Sequence, residues 1–160
     1  MRTGSNKFAT ESSPLFGFFI RFKTPDECEA MLPHILFADD DEDTCAMMEM
    51  TLRHAGFRVS VTGHSSEILQ LCSVEHFDAL VLDNWMPEIS GLEICKQIRA
   101  IDNKTPILFC SGAATKDDIA AAVDAGAQGY IEKPFDPDHL IHILRSVTGG
   151  NALKHFEAKS

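Results

Sequence analysis

The chain has 160 residues, of which 44% are hydrophobic and 24% charged, and these proportions are typical of one globular domain. No apolar run approaches the roughly 20 residues that cross a bilayer. The net charge of −10 is concentrated between residues 33 and 148, where nineteen acids stand against eight bases. This acidic balance argues against direct nucleic-acid or membrane partners and favours a site that binds a cation.

The cysteines indicate a reducing environment. There are five of them, an odd number, and no two form a Cys-x-x-Cys pair. All but Cys28 lie in apolar segments that read as core helices or strands, namely Cys45, Cys72, Cys95 and Cys110. We therefore expect small buried side chains in a cytoplasmic protein, and neither a disulfide framework nor a zinc site.

Segments that favour strands and helices alternate along the middle of the chain. In chain order, we predict a strand at 34–38, a helix at 43–55, a strand at 58–62, a helix at 66–72, a strand at 77–83, a helix at 92–101, a strand at 106–111, a helix at 117–125, a strand at 128–131 and a last helix that carries Leu140, Ile143, Leu144 and Val147. Five strand–helix units with short connections predict an α/β fold, a doubly wound parallel sheet covered on both faces. Periodicity does not give the strand order, and 2-1-3-4-5, the order of flavodoxin-like three-layer sandwiches, is the common arrangement.

The two ends of the chain lack this alternation. Residues 1–32 hold five of the eleven phenylalanines among Ser, Thr and Lys, and residues 149–160 begin with Gly-Gly. We predict a domain over 33–148, a flexible N-terminal extension over 1–32 and a C-terminal tail over 149–160. The alternative for the extension is an aromatic tether for a partner or a neighbouring subunit. The tail is too short for a DNA-binding module, so we expect a single-domain protein.

Acidic residues follow two of the predicted strands. Asp83 ends the apolar stretch 79–82, and Pro87 prevents the strand from continuing. The first strand is followed by five consecutive acids, residues 39–43, of which Asp41 or Asp43 caps the next helix. Asp39 and Asp40 remain, and they lie beside Asp83 if the first and third strands are neighbours. Three converging carboxylates predict a hard divalent cation, and Mg²⁺ suits them better than Ca²⁺ because no EF-hand loop is present.

The last two strands bring a hydroxyl and an ammonium group to the same edge of the sheet. Ser111-Gly112 ends the fourth strand, and Lys133-Pro134 follows the fifth. Taken alone, each residue is typical of an ordinary solvated loop. Together with the three carboxylates they supply a nucleophile, a cation site and donors for phosphoryl oxygens, which is the inventory of phosphoryl transfer.

These motifs resemble the receiver domain of bacterial response regulators, of the single-domain, chemotaxis-regulator-like kind. The likeness covers residues 34–148 and rests on the pair Asp39-Asp40, the stretch from Asp83 to Pro87, Ser111-Gly112 and Lys133-Pro134-Phe135, in the family's order. It implies that Asp83 accepts a phosphoryl group from a sensor histidine kinase or a histidine phosphotransfer protein. Such a protein catalyses its own phosphorylation and does not turn over an external substrate.

The resemblance also implies roles for the other site residues. Asp40 and Asp83 would ligate Mg²⁺ with the backbone carbonyl of Trp85, and Asp39 would act through a bound water. Lys133 would pair with phosphoryl oxygens, and Ser111, in place of the commoner threonine, would bond one of them. Tyr130 matches the switch aromatic that turns inward after phosphorylation, and the changed surface would bind a downstream protein or a second copy of the chain.

Three other interpretations use the same sheet. A flavodoxin needs a Ser/Thr/Gly-rich phosphate loop after the first strand, where this chain has five acids. A haloacid-dehalogenase-like phosphatase needs a second carboxylate two residues after its nucleophile, where this chain has Trp85. A receiver-like adaptor that works without phosphorylation is the third, and the intact acids and lysine argue against it.

Overall fold

A computed structural model of the protein describes residues 24–112 and 114–149. Its strands are β1 (His34–Ala38), β2 (Arg58–Thr62), β3 (Ala79–Asp83), β4 (Ile107–Ser111) and β5 (Gly129–Glu132). Its helices are α1 (Pro25–Glu29), α2 (Glu42–His54), α3 (Ser65–Val74), α4 (Gly91–Ile101), α5 (Lys116–Asp124) and α6 (Pro137–Thr148). None of the helices in these two ranges is long and apolar enough to cross a membrane.

The five strands form one parallel sheet in the order β2-β1-β3-β4-β5. Every residue of β1, β3 and β4 is buried, which explains why these segments are apolar runs without alternation. One face of the sheet packs against α2 and α6, and the other packs against α3, α4 and α5. The predicted fold class and strand order are confirmed.

The predicted elements differ from the structure by one or two residues at several ends. Helix α2 begins at Glu42 because the carboxylate of Asp41 accepts a hydrogen bond of 2.6 Å from the Thr44 amide and so caps the helix. Strand β3 begins at Ala79, two residues later than predicted, and just before it the carboxylate of Asp78 accepts from the amide of His34 at 2.7 Å. The short helix α1 was not predicted.

Three of the predicted core cysteines are buried, namely Cys45, Cys95 and Cys110, while Cys72 is half-buried and Cys28 exposed. All five are free thiols. Burial raises the pKa of the Cys72 thiol to about 11, which keeps it protonated and unreactive at neutral pH. The predicted extension over 1–32 and the tail over 149–160 lie mostly outside the described residues.

His34 is a buried titratable group at the amino end of the sheet, 4% exposed. Its Nε2 lies 2.9 Å from the Ser60 hydroxyl and its Nδ1 lies 2.5 Å from a guanidinium nitrogen of Arg58. The Arg58 guanidinium can only donate to Nδ1, whereas the backbone carbonyl of His76, 3.1 Å from Nδ1, can only accept from it. Burial first, and then the charge of Arg58, lower the pKa of His34 below 6.5, against the hydrogen bond to the His76 carbonyl and the attraction from Glu75 and Asp78.

We therefore expect His34 to make the fold sensitive to acid. Its pKa is lower in the folded than in the unfolded chain, so the unfolded chain binds more protons as the pH falls through about 6.5. The free energy of unfolding should decrease on going from about pH 7.5 to about pH 5.5. Urea unfolding of the wild type and of His34→Asn at both values checks this, and the decrease should be smaller in the variant. Parallel pH dependence in the two proteins would contradict it.

Candidate functional site

Three carboxylates meet at the carboxyl edge of the sheet, where parallel strands place their last residues. Asp39 and Asp40 follow β1 and Asp83 ends β3, and because these strands are neighbours, one oxygen from each carboxylate lies within 4.8 Å of the others. Asp39 and Asp83 are buried and Asp40 is exposed. The convergence predicted from the sequence is therefore present.

The ammonium group of Lys133 links the two buried carboxylates. It follows β5 and donates to Asp39 Oδ2 at 2.5 Å and to Asp83 Oδ2 at 2.6 Å. Burial disfavours the charge of Lys133, but the hydrogen bonds to Asp39 and Asp83 outweigh it and raise the pKa of the lysine. The peptide bond that follows, Lys133-Pro134, is cis.

Backbone amides hold the other oxygen of each buried carboxylate. Asp39 Oδ1 accepts from the amide of Asp41 at 3.1 Å, and Asp83 Oδ1 accepts from the amide of Trp85 at 2.9 Å. The thiol of Cys45 donates to the backbone carbonyl of Asp39 at 3.2 Å, and this bond ties the residue that follows β1 to helix α2. Both buried acids are thus oriented before any ligand arrives.

Two hydroxyl groups beside the carboxylates lack hydrogen-bond partners among the described residues. These are the Oγ of Ser111, at the end of β4, and the phenolic oxygen of Tyr130 on the adjacent β5. The ring of Tyr130 stacks on Phe109 with centroids 6.1 Å apart, so its hydroxyl faces inward. Burial raises the pKa of Tyr130, and Ser111 acts in the opposite direction without reaching hydrogen-bonding geometry. Unpaired buried hydroxyls are costly, and they are ready to bind a new acceptor.

The loop between β3 and α4 covers one side of the acids. Trp85, two residues after Asp83 in this loop, is 67% exposed, and Glu88 has a left-handed φ of 72°. The hydroxyl of Ser65, the first residue of α3, donates to the carbonyl of Pro87 at 2.7 Å and accepts from the amide of Ile89 at 3.3 Å. The loop is therefore attached to the start of the neighbouring helix.

The structure brings four predicted residues, Asp39, Asp40, Asp83 and Lys133, into direct contact or near contact. Ser111 ends β4, and Tyr130 lies on the neighbouring β5, where it pairs with Phe109. The contacts that Ser65 and Cys45 make at the site were not predicted from the sequence. Ser65 stands in a polar stretch, Thr62 to Ser66, that predicts only a turn and a helix start, and no local pattern indicates its contact with a loop 22 residues away.

The comparisons with known proteins agree with this geometry. The family model described as response regulator receiver domain matches residues 35–145, more than half of the chain. The chain belongs to the response regulator receiver domain family. This receiver domain is 38% identical over 115 residues to the transcriptional regulatory protein PrrA of Mycobacterium tuberculosis, a match that covers 72% of the chain and 49% of PrrA.

Two further relatives give the same result. Response regulator MprA of Mycobacterium ulcerans is 33% identical over 128 residues, covering 80% of the chain and 55% of MprA. The structure of the chemotaxis response regulator CheY4 of Vibrio cholerae superposes with a TM-score of 0.68 and 29% identity, covering 72% of the chain and 98% of CheY4. The chain spans about half the length of the curated relatives it matches.

Receiver domains bind Mg²⁺ through acidic residues, and the donor set of this site fits that ion. The cluster offers carboxylate oxygens, the hard ligands that Mg²⁺ prefers. Three carboxylates and one ammonium leave a net charge of −2, which a divalent cation balances. Exposed Asp40 leaves one side open to water, and Mg²⁺ usually retains several waters.

We expect Gly91 to be required for the shape of the site. A Cβ at this first residue of α4 would lie 2.5 Å from the carbonyl oxygen of Asp83 and 2.8 Å from a ring carbon of Phe109. Gly91→Ala should therefore reduce the free energy of unfolding by about 1–3 kcal/mol, although alanine is normally the better helix former. Thermal or urea unfolding measures the change.

Gly112→Ala is the matched control for Gly91→Ala, since a Cβ at Gly112 has no atom within 4 Å. We expect that control to stay within about 0.5 kcal/mol of the wild type. Equal stability of the two variants would show that the contact at Gly91 does not constrain the fold.

Proposed function

We propose that this receiver domain accepts a phosphoryl group on Asp83 from a histidine kinase or a histidine phosphotransfer protein. The observation that carries the proposal is the Lys133 ammonium, held between Asp39 and Asp83 at the carboxyl edge of the sheet. A lysine there marks where the negative charge of a transferred group is neutralised. We infer a receiver domain over 33–148 that works in the cytoplasm and turns over no external substrate.

Asp39, Asp40 and Asp83 would hold Mg²⁺ together with the backbone carbonyl of Trp85, Asp39 acting through a water. When bound, the ion neutralises charge on the phosphoryl oxygens and so lowers the electrostatic barrier to the approach of an anion. The buried pair is preorganised by the amides of Asp41 and Trp85, so little rearrangement is needed on binding.

In the transfer itself, a carboxylate oxygen of Asp83 attacks the phosphorus atom of the donor phosphohistidine. The P–N bond breaks, its electron pair stays on the imidazole nitrogen, and an acyl phosphate forms on Asp83. Lys133 already donates to Asp83 Oδ2 and is within reach of the incoming phosphoryl oxygens. The Ser111 hydroxyl, which has no partner among the described residues, supplies a further donor.

Ser111 and Tyr130 would carry the change to a docking surface formed by α5, β5 and α6. A hydrogen bond from Ser111 to the phosphoryl group draws the end of β4 toward Asp83, and Tyr130 occupies the adjacent space. Ile119 and Val123 of α5 are exposed, so this surface offers apolar contacts to a downstream protein or to a second copy of the chain.

The lone tryptophan provides the test of phosphorylation, because Trp85 lies two residues from Asp83. We expect its fluorescence to change on addition of Mg²⁺, and again on addition of acetyl phosphate or beryllofluoride in the presence of Mg²⁺. Asp83→Asn should abolish the second change, because amide nitrogen replaces the acceptor oxygen. Fluorescence titration, with mass spectrometry to count phosphoryl groups, measures both.

Asp117→Asn is the matched control, since Asp117 is an exposed acid of α5 outside the cluster, and it should respond as the wild type does. If the folded wild-type protein showed no fluorescence change with acetyl phosphate or with beryllofluoride, the proposal would be refuted. It would favour the receiver-like adaptor that binds partners without phosphorylation.

The role of Ser111 can be tested separately from phosphorylation. We expect Ser111→Ala to bind beryllofluoride but to lose the change in amide hydrogen exchange that the wild type shows in α5 and β5. The reason is that alanine cannot donate to the bound group, so the end of β4 is not drawn inward. Ser111→Thr keeps the hydroxyl and should restore the change. If Ser111→Ala transmitted the change as the wild type does, the hydroxyl would not be the link to Tyr130.

A further inference from the structure

Ser65 contacts the loop beside the acceptor and not its own helix. Its side chain is 1% exposed, and its Oγ donates to the Pro87 carbonyl at 2.7 Å while accepting from the Ile89 amide at 3.3 Å. The N-cap of α3 is His64, so Ser65 is not needed as the cap. A buried hydroxyl with both its donor and acceptor functions used on one turn fixes that turn relative to α3.

The turn that Ser65 holds is strained. Glu88 lies in the left-handed region at φ 72°, a conformation that L residues other than asparagine, aspartate and glycine rarely adopt. The loop is closed by bonds from Ile89 to the Pro87 carbonyl at 2.9 Å and from Gly91 to the Asn84 carbonyl at 3.2 Å. Such a conformation persists only where neighbouring groups hold it, and Ser65 supplies hydrogen bonds to the turn from outside the loop.

The connection that carries Ser65 also contacts the turn of the other buried acid. The carbonyl of Thr62 accepts from the amide of Asp39 at 3.1 Å, and a Cβ on Gly63 would lie 3.5 Å from the Asp39 carbonyl. Residues 62–65 therefore contact both of the chain segments that present Asp39 and Asp83. A shift of either segment relative to the other changes the distances among the carboxylates.

We propose that Ser65 is a positioning residue of the phosphoryl-acceptor site, which sets the loop of residues 84–90 so that Asp83 and the backbone at Trp85 face the cation position. This inference rests on the proposed function. Ser65 touches neither the cation nor the phosphoryl group, and it acts through the Pro87 carbonyl and the Ile89 amide. Groups that orient metal ligands in this way typically change metal affinity by about tenfold or more when removed.

The test compares Ser65→Ala and Ser65→Cys with the wild type. Ser65→Cys keeps the size of the side chain with a weaker hydrogen-bonding group, so it should give an intermediate effect. The matched control is Ser73→Ala on the same helix, whose hydroxyl donates at 2.6 Å to the Gln70 carbonyl of that helix. Circular dichroism establishes that each variant is folded, and Ser65→Cys carries the test if Ser65→Ala is not.

Three measurements then separate positioning from general stability. Amide hydrogen exchange of the metal-free protein should be about threefold or more faster within residues 84–90 of Ser65→Ala, and unchanged there in Ser73→Ala. The Mg²⁺ dissociation constant, from Trp85 fluorescence, should rise about tenfold. The rate of phosphorylation by acetyl phosphate at limiting Mg²⁺ should fall in Ser65→Ala and stay unchanged in Ser73→Ala.

Unchanged Mg²⁺ affinity in a folded Ser65→Ala protein would overturn the proposal, and so would a loss of affinity equal to that of Ser73→Ala. These outcomes are distinct from failure of the proposed function. If the wild type took up no phosphoryl group, the exchange of residues 84–90 in metal-free protein and the Mg²⁺ titration would still decide whether Ser65 positions the loop.

Discussion

The site depends on the two hydrogen bonds that Lys133 donates to Asp39 and Asp83. These three residues follow or end β5, β1 and β3, so the ammonium joins strands that are not all adjacent in the sheet. Without it, two buried carboxylates and the neighbouring Asp40 would repel one another at short range. The lysine makes a cluster of acids compatible with a folded sheet edge, and it leaves a residual negative charge that a divalent cation can neutralise.

This arrangement sacrifices stability at the carboxyl edge. Burying an ion pair costs desolvation free energy, which the attraction between the two charges offsets only in part. The unpaired buried hydroxyls of Ser111 and Tyr130 add to this cost. The rest of the sheet offsets the cost, since β1, β3 and β4 are buried along their whole length by apolar side chains. Stable packing below the edge permits unsatisfied groups at the edge.

The sequence was sufficient to predict the sheet and the acidic cluster, for a physical reason. Buried parallel strands are apolar runs, and an abrupt change to Asp39 or Asp83 marks their carboxyl ends, which all lie at one edge. Contacts between loops leave no such mark. The bond from Ser65 to Pro87 and the place of Cys45 beneath Asp39 depend on how connections of the finished fold meet, and serine and cysteine occur in many other settings.

Ser65 and Ser111 illustrate how the same chemical group can serve different needs. Ser65 uses its hydroxyl fully, as donor and acceptor, on a turn that must keep a strained conformation. Ser111 has no partner among the described residues, so it can form a new bond without first breaking an old one. A site that changes conformation when it binds a group needs one part that stays fixed and another part that moves. The two serines differ in whether their hydroxyls already have hydrogen-bond partners. Moving a hydroxyl that has partners breaks its hydrogen bonds, whereas moving one without a partner can form a new hydrogen bond.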